Sequence, residues 1–437
     1  MKLGEKLGFC CKGAAPLLLA FALALFLRFL FFFLFKTPGY YADSKVYTDI
    51  MHFLFDGAQI AKSIHLSWAP GYSIFLKFLS LFVGENLIAV KAVQMLLSAF
   101  MVFPLYWLGK TAFGKRAGIA AALLWAVYPY SMMFGEFVMS ETFFLLVFVL
   151  ALVFLVKAIE KPSPLLVLGS GMLLGVLALT RASSKLLFLL VPLFLVFSKK
   201  WKPVLALVSI VGALILIGPY VFFLFQTYHQ FIFIDNVGEQ TLAWTTSPGF
   251  SDINPDVNLE ASYNETKELA NEHPLSLYLQ ALNPQNLATI LSQVPAKLTV
   301  FLWLETFMAG QPTRDYYGAV SSSISYNLFA YGSIIFYILL MILFLAGAAY
   351  SKSKYAQLFF LVILYFLVIH SLSHAEQRYH LQIMPLVILF AGFTLANAKE
   401  IFKKIFDFKL RETKIFYTLL LILLALWAFG FYSFILH

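Results

Sequence analysis

The sequence predicts an all-α polytopic membrane protein, and three observations carry that expectation. Of 437 residues, 61% are hydrophobic and only 12% are charged, against roughly 25% charged in a soluble domain; mean hydropathy is +0.84. Apolar windows of about 18–22 residues, long enough to cross hydrocarbon as a helix, recur along the chain. Most lysines and arginines sit in short segments between alternate windows, which is how loops on the cytoplasmic side are marked. The net charge of +9 is therefore an orientation signal. It is not a phosphate-backbone footprint, and nucleic acid is not an expected partner.

The windows fall at 16–35, 87–108, 117–134, 141–158, 164–180, 184–198, 203–225, 328–350, 355–372, 381–397 and 415–434, eleven in all. The first run follows Lys2, Lys6 and Lys12, is too long for a signal-peptide core and has no small-x-small cleavage site after it, so an uncleaved span is expected. Arg28 lies inside it and is expected to snorkel or to pair with a neighbouring span. Cys10 and Cys11, the only cysteines, are adjacent and cannot staple a fold; an inert pair is expected in preference to acylation. The apolar stretch Leu298–Ala309 is too short to span and reads as an interfacial or re-entrant helix.

Charge orients the chain. With the N-terminus inside, the inner segments hold Lys110, Lys115 and Arg116, then Lys157 and Lys161, then Lys199, Lys200 and Lys202. They also hold Lys352 and Lys354, and finally Lys399, Lys403, Lys404, Lys409, Arg411 and Lys414. The C-terminus is then outside, and so are the two long loops, 36–85 and 226–327. Three regions are expected: a transmembrane module over 1–225 that includes the first outer loop 36–85 with juxtamembrane helices, a helical and irregular outer region over 226–327 with a juxtamembrane helix, and C-terminal spans over 328–437. The matched interrupted helices of an inverted-repeat transporter are not evident.

Polar groups concentrate on the outer side: Asp43 and Asp49, Glu136 and Glu141, Arg181 and Lys185, Lys297, and His374, Glu376, Arg378, Tyr379 and His380. Acidic groups at the mouth of a helix bundle are functional-site candidates, because against lipid each costs about 2.5–3.5 kcal/mol. Carboxylates among scattered cations suit displacement of a phosphate from a lipid-linked sugar. That reaction needs one base toward the incoming hydroxyl and cations for the leaving phosphate. A glycoside hydrolase instead needs two carboxylates flanking the bond. Each group also has a plainer role: Glu141 complements a helix dipole, Arg181 and Lys185 anchor an interface, and Lys297 is a loop cation. Asp252–Asn258 has oxygen ligands at alternate positions but lacks the glycine and glutamate of a calcium loop, so an Asx-rich turn is expected. Asn264-Glu265-Thr266 is a glycosylation sequon. The sequence shows no Walker loop, dinucleotide fingerprint or His/Cys cluster with metal spacing.

Several segments follow one another along the chain: Asp43-x-x-x-Tyr47-x-Asp49-Ile50 with Gly57 and Pro70-Gly71-Tyr72; Tyr128-Pro129 followed by Ser140-Glu141-Thr142; and Gly171-x-x-x-Gly175 leading to Thr180-Arg181. Pro219-Tyr220, His273-Pro274, Lys297-Leu298 and Glu376-x-Arg378-Tyr379 with Pro385 follow. Together these segments resemble the GT-C superfamily of membrane glycosyltransferases, in particular the bacterial and archaeal group related to protein O-mannosyltransferases and lipid A aminoarabinose transferase.

The resemblance implies a GT-C-like helical architecture and an inverting hexosyl or pentosyl transfer from a polyprenyl-phosphate-linked donor on the extracytoplasmic face. The acceptor would be a protein, lipid or glycan. Asp43 would be the general base and Glu141 would shape the sugar site. Arg378 and Lys297 would hold the donor phosphate, with Arg181, Tyr379, Tyr47, Asp49, His374 and Glu376 around it. No cofactor is certain; a divalent metal is left open, and membrane lipids are partners. Relatives carry a double proline where this chain has Ala69-Pro70, Arg-Asn where it has Phe223-Leu224, and lysines near its His65 and Trp68. The alternatives are a transporter or flippase for lipid-linked sugar, or an O-antigen polymerase or ligase.

Overall fold

The computed structural model describes residues 2–35, 43–238, 240–241, 283–306 and 324–436, with side chains over 15–432. Asp252–Asn258, Asn264–Thr266 and His273-Pro274 lie outside the described residues. Every regular element among those described is helical. In order they are α1 (Lys2–Leu34), α2 (Ser44–Asp56), α3 (Lys62–His65), α4 (Gly71–Val83), α5 (Leu87–Phe100), α6 (Val102–Phe113), α7 (Lys115–Val127), α8 (Pro129–Glu136) and α9 (Ser140–Glu160). Then come α10 (Pro164–Thr180), α11 (Leu187–Phe197), α12 (Pro203–Tyr228), α13 (Pro284–Phe301), α14 (Ile324–Tyr350), α15 (Ala356–Leu372), α16 (Met384–Ala396), α17 (Ala398–Lys404) and α18 (Arg411–Leu436).

Each of the eleven expected windows falls on helical structure, and by length and composition alone fewer than eleven of these stretches qualify as crossings. Six helical stretches are long and apolar enough to cross a membrane, or eight if two bent pairs count as spans. The chain is thus an integral, multi-pass membrane protein. The shortfall has a geometric cause. α10 and α15 have 17 residues each, about 25 Å at 1.5 Å per residue, short of a hydrocarbon core of about 30 Å. The window at 117–134 is broken by 52° between α7 and α8, and α16 meets α17 at 83°. The segment 36–85 contains three helices among its described residues, α2, α3 and α4. The stretch Leu298–Ala309 corresponds to no separate short helix. It is the end of α13, which starts at Pro284 and stops at Phe301, and its last three residues lie outside the described ones.

The central helix is α9. Of its most apolar window 72% is buried, against 22% for Arg411–Tyr432, so its first turn, with Glu141, opens in the middle of the protein. Arg28 does not snorkel. It is fully buried and donates to Ser98 Oγ at 2.8 Å, Ser131 Oγ at 2.9 Å, and the carbonyls of Trp125 at 3.2 Å and Ala126 at 3.1 Å. Pro129 has no N–H to give Trp125 four residues back, so the guanidinium caps carbonyls that the break exposes.

The Gly171-x-x-x-Gly175 face of α10 lies directly on α12. A Cβ on Gly171 would run into the carbonyl of Ser209, and one on Gly175 would stand 2.8 Å from Ala213 O. Small residues are what allow such backbone approach between spans. A Cβ on Gly71 at the head of α4 would meet Leu179 O at 2.7 Å, so Pro70-Gly71-Tyr72 sits against the end of α10, beside Arg181.

Two chemically identical substitutions should therefore have opposite signs. Gly171→Ala forces α10 from α12 and should destabilise by about 1–3 kcal/mol. Gly218→Ala, with nothing within 4 Å of the new methyl, should stabilise by about 0.5–1 kcal/mol through helix propensity. Thermal unfolding in detergent checks both, and a Gly171→Ala midpoint at or above wild type would contradict this packing.

Candidate functional site

The elements around α9 line a cavity of about 660 Å³, with residues from the segment 36–85, the start of α9, the connection between α10 and α11, the segment after α12, and the end of α15 with the connection after it. α2 places Asp43. Its inner face, Ser44, Tyr47, Ile50 and Met51, is buried, and the helix ends on Gly57 in the left-handed region at φ 72°, the conformation that favours glycine at a C-terminus. Asp43 is the N-cap residue, yet its side chain makes no capping bond, so the carboxylate is not committed to the helix. Tyr47 packs edge-on against Tyr72 at 4.9 Å. Tyr72 Oη donates to Gln94 Oε1, and Gln94 Nε2 donates to Phe137 O at 2.6 Å. This chain of contacts fixes α2 relative to the start of α9.

Two ionic groups line the cavity. Arg181, in extended conformation as α10 ends, holds Glu141 Oε1 at 3.0 Å. Its Nη1 also reaches Ser140 Oγ at 3.3 Å, which accepts from Tyr47 Oη at 3.2 Å. Arg378 bridges two carboxylates: Nε to Glu376 Oε2 at 2.6 Å, and Nη1 to Asp43 Oδ2 at 3.3 Å. The Tyr379 ring lies under both guanidiniums, at 5.4 Å from that of Arg181 and 5.7 Å from that of Arg378. His374 Nε2 stands 3.4 Å from Glu376.

Burial pushes Asp43 above its usual range, and the Arg378 charge only partly offsets it. Glu376 shows the opposite balance. Burial would raise it, but Arg378 and His374 outweigh that and hold it well below the usual carboxylate range. Burial would lower Arg378, but Glu376, Tyr379 and Asp43 raise it instead. Two carboxylates sharing one guanidinium are thus pushed apart, a pattern typical of functional sites.

Of the ten residues singled out from sequence, Asp43, Tyr47, Glu141, Arg181, His374, Glu376, Arg378 and Tyr379 all line this cavity. Asp49 does not; it is exposed and paired with Lys45 one turn back, at 2.8 Å. Lys297 is also not among the lining residues. It is buried on α13, seven residues after Ile290 and four before Phe301, both also buried. Glu136 is paired with Lys91 at 3.1 Å, buried, and is likewise off the cavity. His65 lies buried between Tyr228 Oη at 2.7 Å and Tyr220 Oη at 3.1 Å, and burial lowers it to about 4.

Lys185, named with Arg181 from the sequence and one turn after it, reaches the cavity; the partner that sequence reading missed is Asp235, at 2.5 Å. The segment carrying Asp235, Gln240 and Thr241 folds back along one wall, tied by Asn236 N–H to Leu66 O at 2.9 Å. The polar run after the seventh apolar window was the only signal for it. Among the described residues, one group has metal-ligand spacing, His52, Asp56 and Glu85. It lies outside the cavity, and Lys77 already neutralises Asp56 at 2.5 Å.

Comparison with known proteins places this geometry. The sequence model of the family Dolichyl-phosphate-mannose-protein mannosyltransferase matches residues 67–223, which include Trp68, Gly71, Glu141, Arg181 and Lys185. No curated protein matches the sequence. The crystal structure of the Archaeoglobus fulgidus oligosaccharyltransferase in the apo form is similar, with a TM-score of 0.55 at 14% identity. The alignment covers 98% of this chain and 55% of that one. The archaeal oligosaccharyltransferase AglB from Archaeoglobus fulgidus, in complex with an inhibitory peptide and a dolichol-phosphate, gives 0.52 at 12% identity over 97% and 55% of the two chains. ArnT from Cupriavidus metallidurans bound to undecaprenyl phosphate gives 0.42 at 14% identity, over 90% and 78%. The chain thus spans 55% of the length of the two oligosaccharyltransferase structures. The fold is that of these oligosaccharyltransferase structures, and the resemblance to mannosyltransferase-related proteins read from the motifs is matched by the family model over residues 67–223.

The Glu141–Arg181 pair is nearly dry, at 4% and 12% side-chain exposure. Arg181→Gln, which strands Glu141, should cost about 3–5 kcal/mol. The double variant Glu141→Gln/Arg181→Gln should recover a large part of that. Denaturant unfolding of the three variants measures the coupling, and simple additivity would show that the pair is not formed.

Proposed function

We propose that the protein is a glycosyltransferase that moves a sugar from a polyprenyl-phosphate-linked donor to an acceptor hydroxyl at the extracytoplasmic membrane face, by a single inverting displacement. The observation that carries this reading is the junction of Asp43 with Arg378 in a cavity that also holds Glu141–Arg181. The mannosyltransferase-family match over part of the chain and the GT-C fold support it. The N-terminus is cytoplasmic in this reading, as the lysine and arginine distribution requires.

The cavity's own residues supply each part of the reaction. Asp43 accepts the proton of the acceptor hydroxyl as its oxygen bonds to the anomeric carbon. The bond from that carbon to the phosphate oxygen breaks, and the oxygen leaves with the electron pair. Arg378 and Arg181 are the cations nearest that developing charge, and Lys185 is a third lining cation. The phosphate-binding role expected of Lys297 requires its ammonium to reach a cavity that it does not line. Glu141, fixed by Arg181, and Tyr379, beneath both guanidiniums, shape the space for the sugar. Preorganised charges of this kind are typically worth about 10²–10³ in rate each. The acceptor is a protein, lipid or glycan.

The test is sugar transfer from purified lipid donor in detergent, with no added energy source. Wild type should consume donor and Asp43→Asn should lose about 10²–10⁴ of the rate, both proteins being folded. Transport without donor consumption would instead favour a flippase. Asp43 must be ionised to act, so the rate should fall as pH drops through its raised pKa, above the ordinary aspartate value of about 3.9. Arg378→Gln removes the charge that lowers that pKa, so the acid limb of its residual rate should move to higher pH. A limb that stays in place or moves down would contradict the assignment of the limb to Asp43.

A further inference from the structure

Below the turn Gln377–Gln382 lies a buried polar group that the reaction above does not use. Glu305, in the irregular segment after α13, is fully buried. Its Oε1 accepts from Tyr128 Oη, and His380 Nε2 stands 3.4 Å from the same oxygen. Its Oε2 accepts from Ser333 Oγ at 2.5 Å. One carboxylate thus joins the break between α7 and α8, the middle of α14, and the turn that carries Arg378. The neighbouring Thr306 Oγ1 donates to Gln377 Oε1 at 3.0 Å, so residues 305 and 306 grip the turn at two points on either side of Arg378 and Tyr379.

The floor beneath this grip is itself held. Leu302 O accepts from Trp427 Nε1 at 2.8 Å and from Tyr337 Oη at 3.2 Å. Trp303 occupies space that a side chain on Gly430 would need. The His380 ring is sandwiched by Tyr130 at 5.5 Å and Tyr337 at 4.9 Å. With about three residues per turn, a 3₁₀ turn sends successive side chains to different sides. Here Arg378 and Tyr379 face the cavity and His380 and Leu381 are buried. Both oxygens of Glu305 are hydrogen-bonded, and a carboxylate so held in a buried network gives rigidity and a defined arrangement. Arg378 needs both, since its two bonds to Glu376 and Asp43 fix where Asp43 stands.

We propose that Glu305, acting through His380, is a positioning residue that sets the place of Arg378 in the cavity. It touches none of the reacting atoms. Its consequence for catalysis rests on the transferase reading; its grip on the turn does not.

The test therefore has two arms. Amide hydrogen exchange of the full-length protein reads the grip without any assay of transfer. Glu305→Ala should speed exchange at least 10-fold in residues 376–382 and leave α10 and α12 unchanged, whereas Glu305→Gln, which keeps an acceptor for Tyr128 and His380, should stay near wild type. In the kinetic arm, Glu305→Ala is compared in wild-type and Arg378→Lys backgrounds. It should lower kcat about 30-fold in the first and under 3-fold in the second, because the interaction through which it acts is already broken there. If Glu305→Ala does not fold, His380→Asn, which removes the ring but leaves Glu305 its two hydroxyl donors, replaces it in both arms with the same expectations. Unchanged exchange in the turn, or equal kcat losses in the two backgrounds, would overturn the proposal. Absence of transfer by wild type alongside faster exchange in the variant would overturn the transferase reading alone.

Discussion

The interaction on which the site depends is the bridge made by Arg378 between Asp43 and Glu376. Asp43 and Arg378 are 335 positions apart in the chain, and neither has a reason to be near the other except through the fold. One guanidinium between two half-buried carboxylates gives them opposite characters: Glu376 is held ionised, and Asp43 is raised. A structural salt bridge needs no such asymmetry. In the proposed transfer the asymmetry has a use, because the group that takes a proton must differ from the group that holds the cation.

Bringing the partners together is the work of close backbone approach and of buried polar caps. The Gly171 and Gly175 face sets α10 on α12, Gly71 sets α4 against the end of α10, and Arg181 emerges where these contacts meet. On the other side Arg28 caps the carbonyls at the α7–α8 break, and Tyr128 from the same break reaches Glu305 under the Arg378 turn. In lipid these contacts matter more than apolar burial, since a leucine facing a neighbour gains little over one facing acyl chains. It follows that the most sensitive positions in this protein are glycines and buried polar groups, and that the numerous phenylalanines are the more replaceable part.

Much of this was legible in the residues themselves. Hydropathy located every helix that carries a span, because backbone groups in lipid leave few alternatives to long apolar helices. Hydropathy alone does not fix the number of crossings, since α10, α11 and α15 are as apolar as the longer helices and differ from them in length. Asp43, Glu141, Arg181 and Arg378 stood out because each is charged and adjoins an apolar window. Asp49 looked equivalent to Asp43, but six residues make about one and two-thirds helical turns, which puts it on the solvent side of α2 beside Lys45. Lys297 lies on a helix whose buried face a single sequence does not reveal. Lys185's partner Asp235, and Glu305 with its three donors, sit in irregular segments where no periodicity exists to read.

The central claim is that this cavity receives the phosphate of a lipid-linked sugar. The most direct measurement is the structure of the full-length protein with polyprenyl phosphate bound, by cryo-electron microscopy in nanodiscs. The account predicts phosphate density inside the cavity, within hydrogen-bond distance of Arg378 or Arg181, with the lipid chain leaving toward the bilayer and Asp43 facing the open space beyond the phosphate. Phosphate density outside this cavity, with the Asp43–Arg378–Glu376 bridge undisturbed, would contradict it.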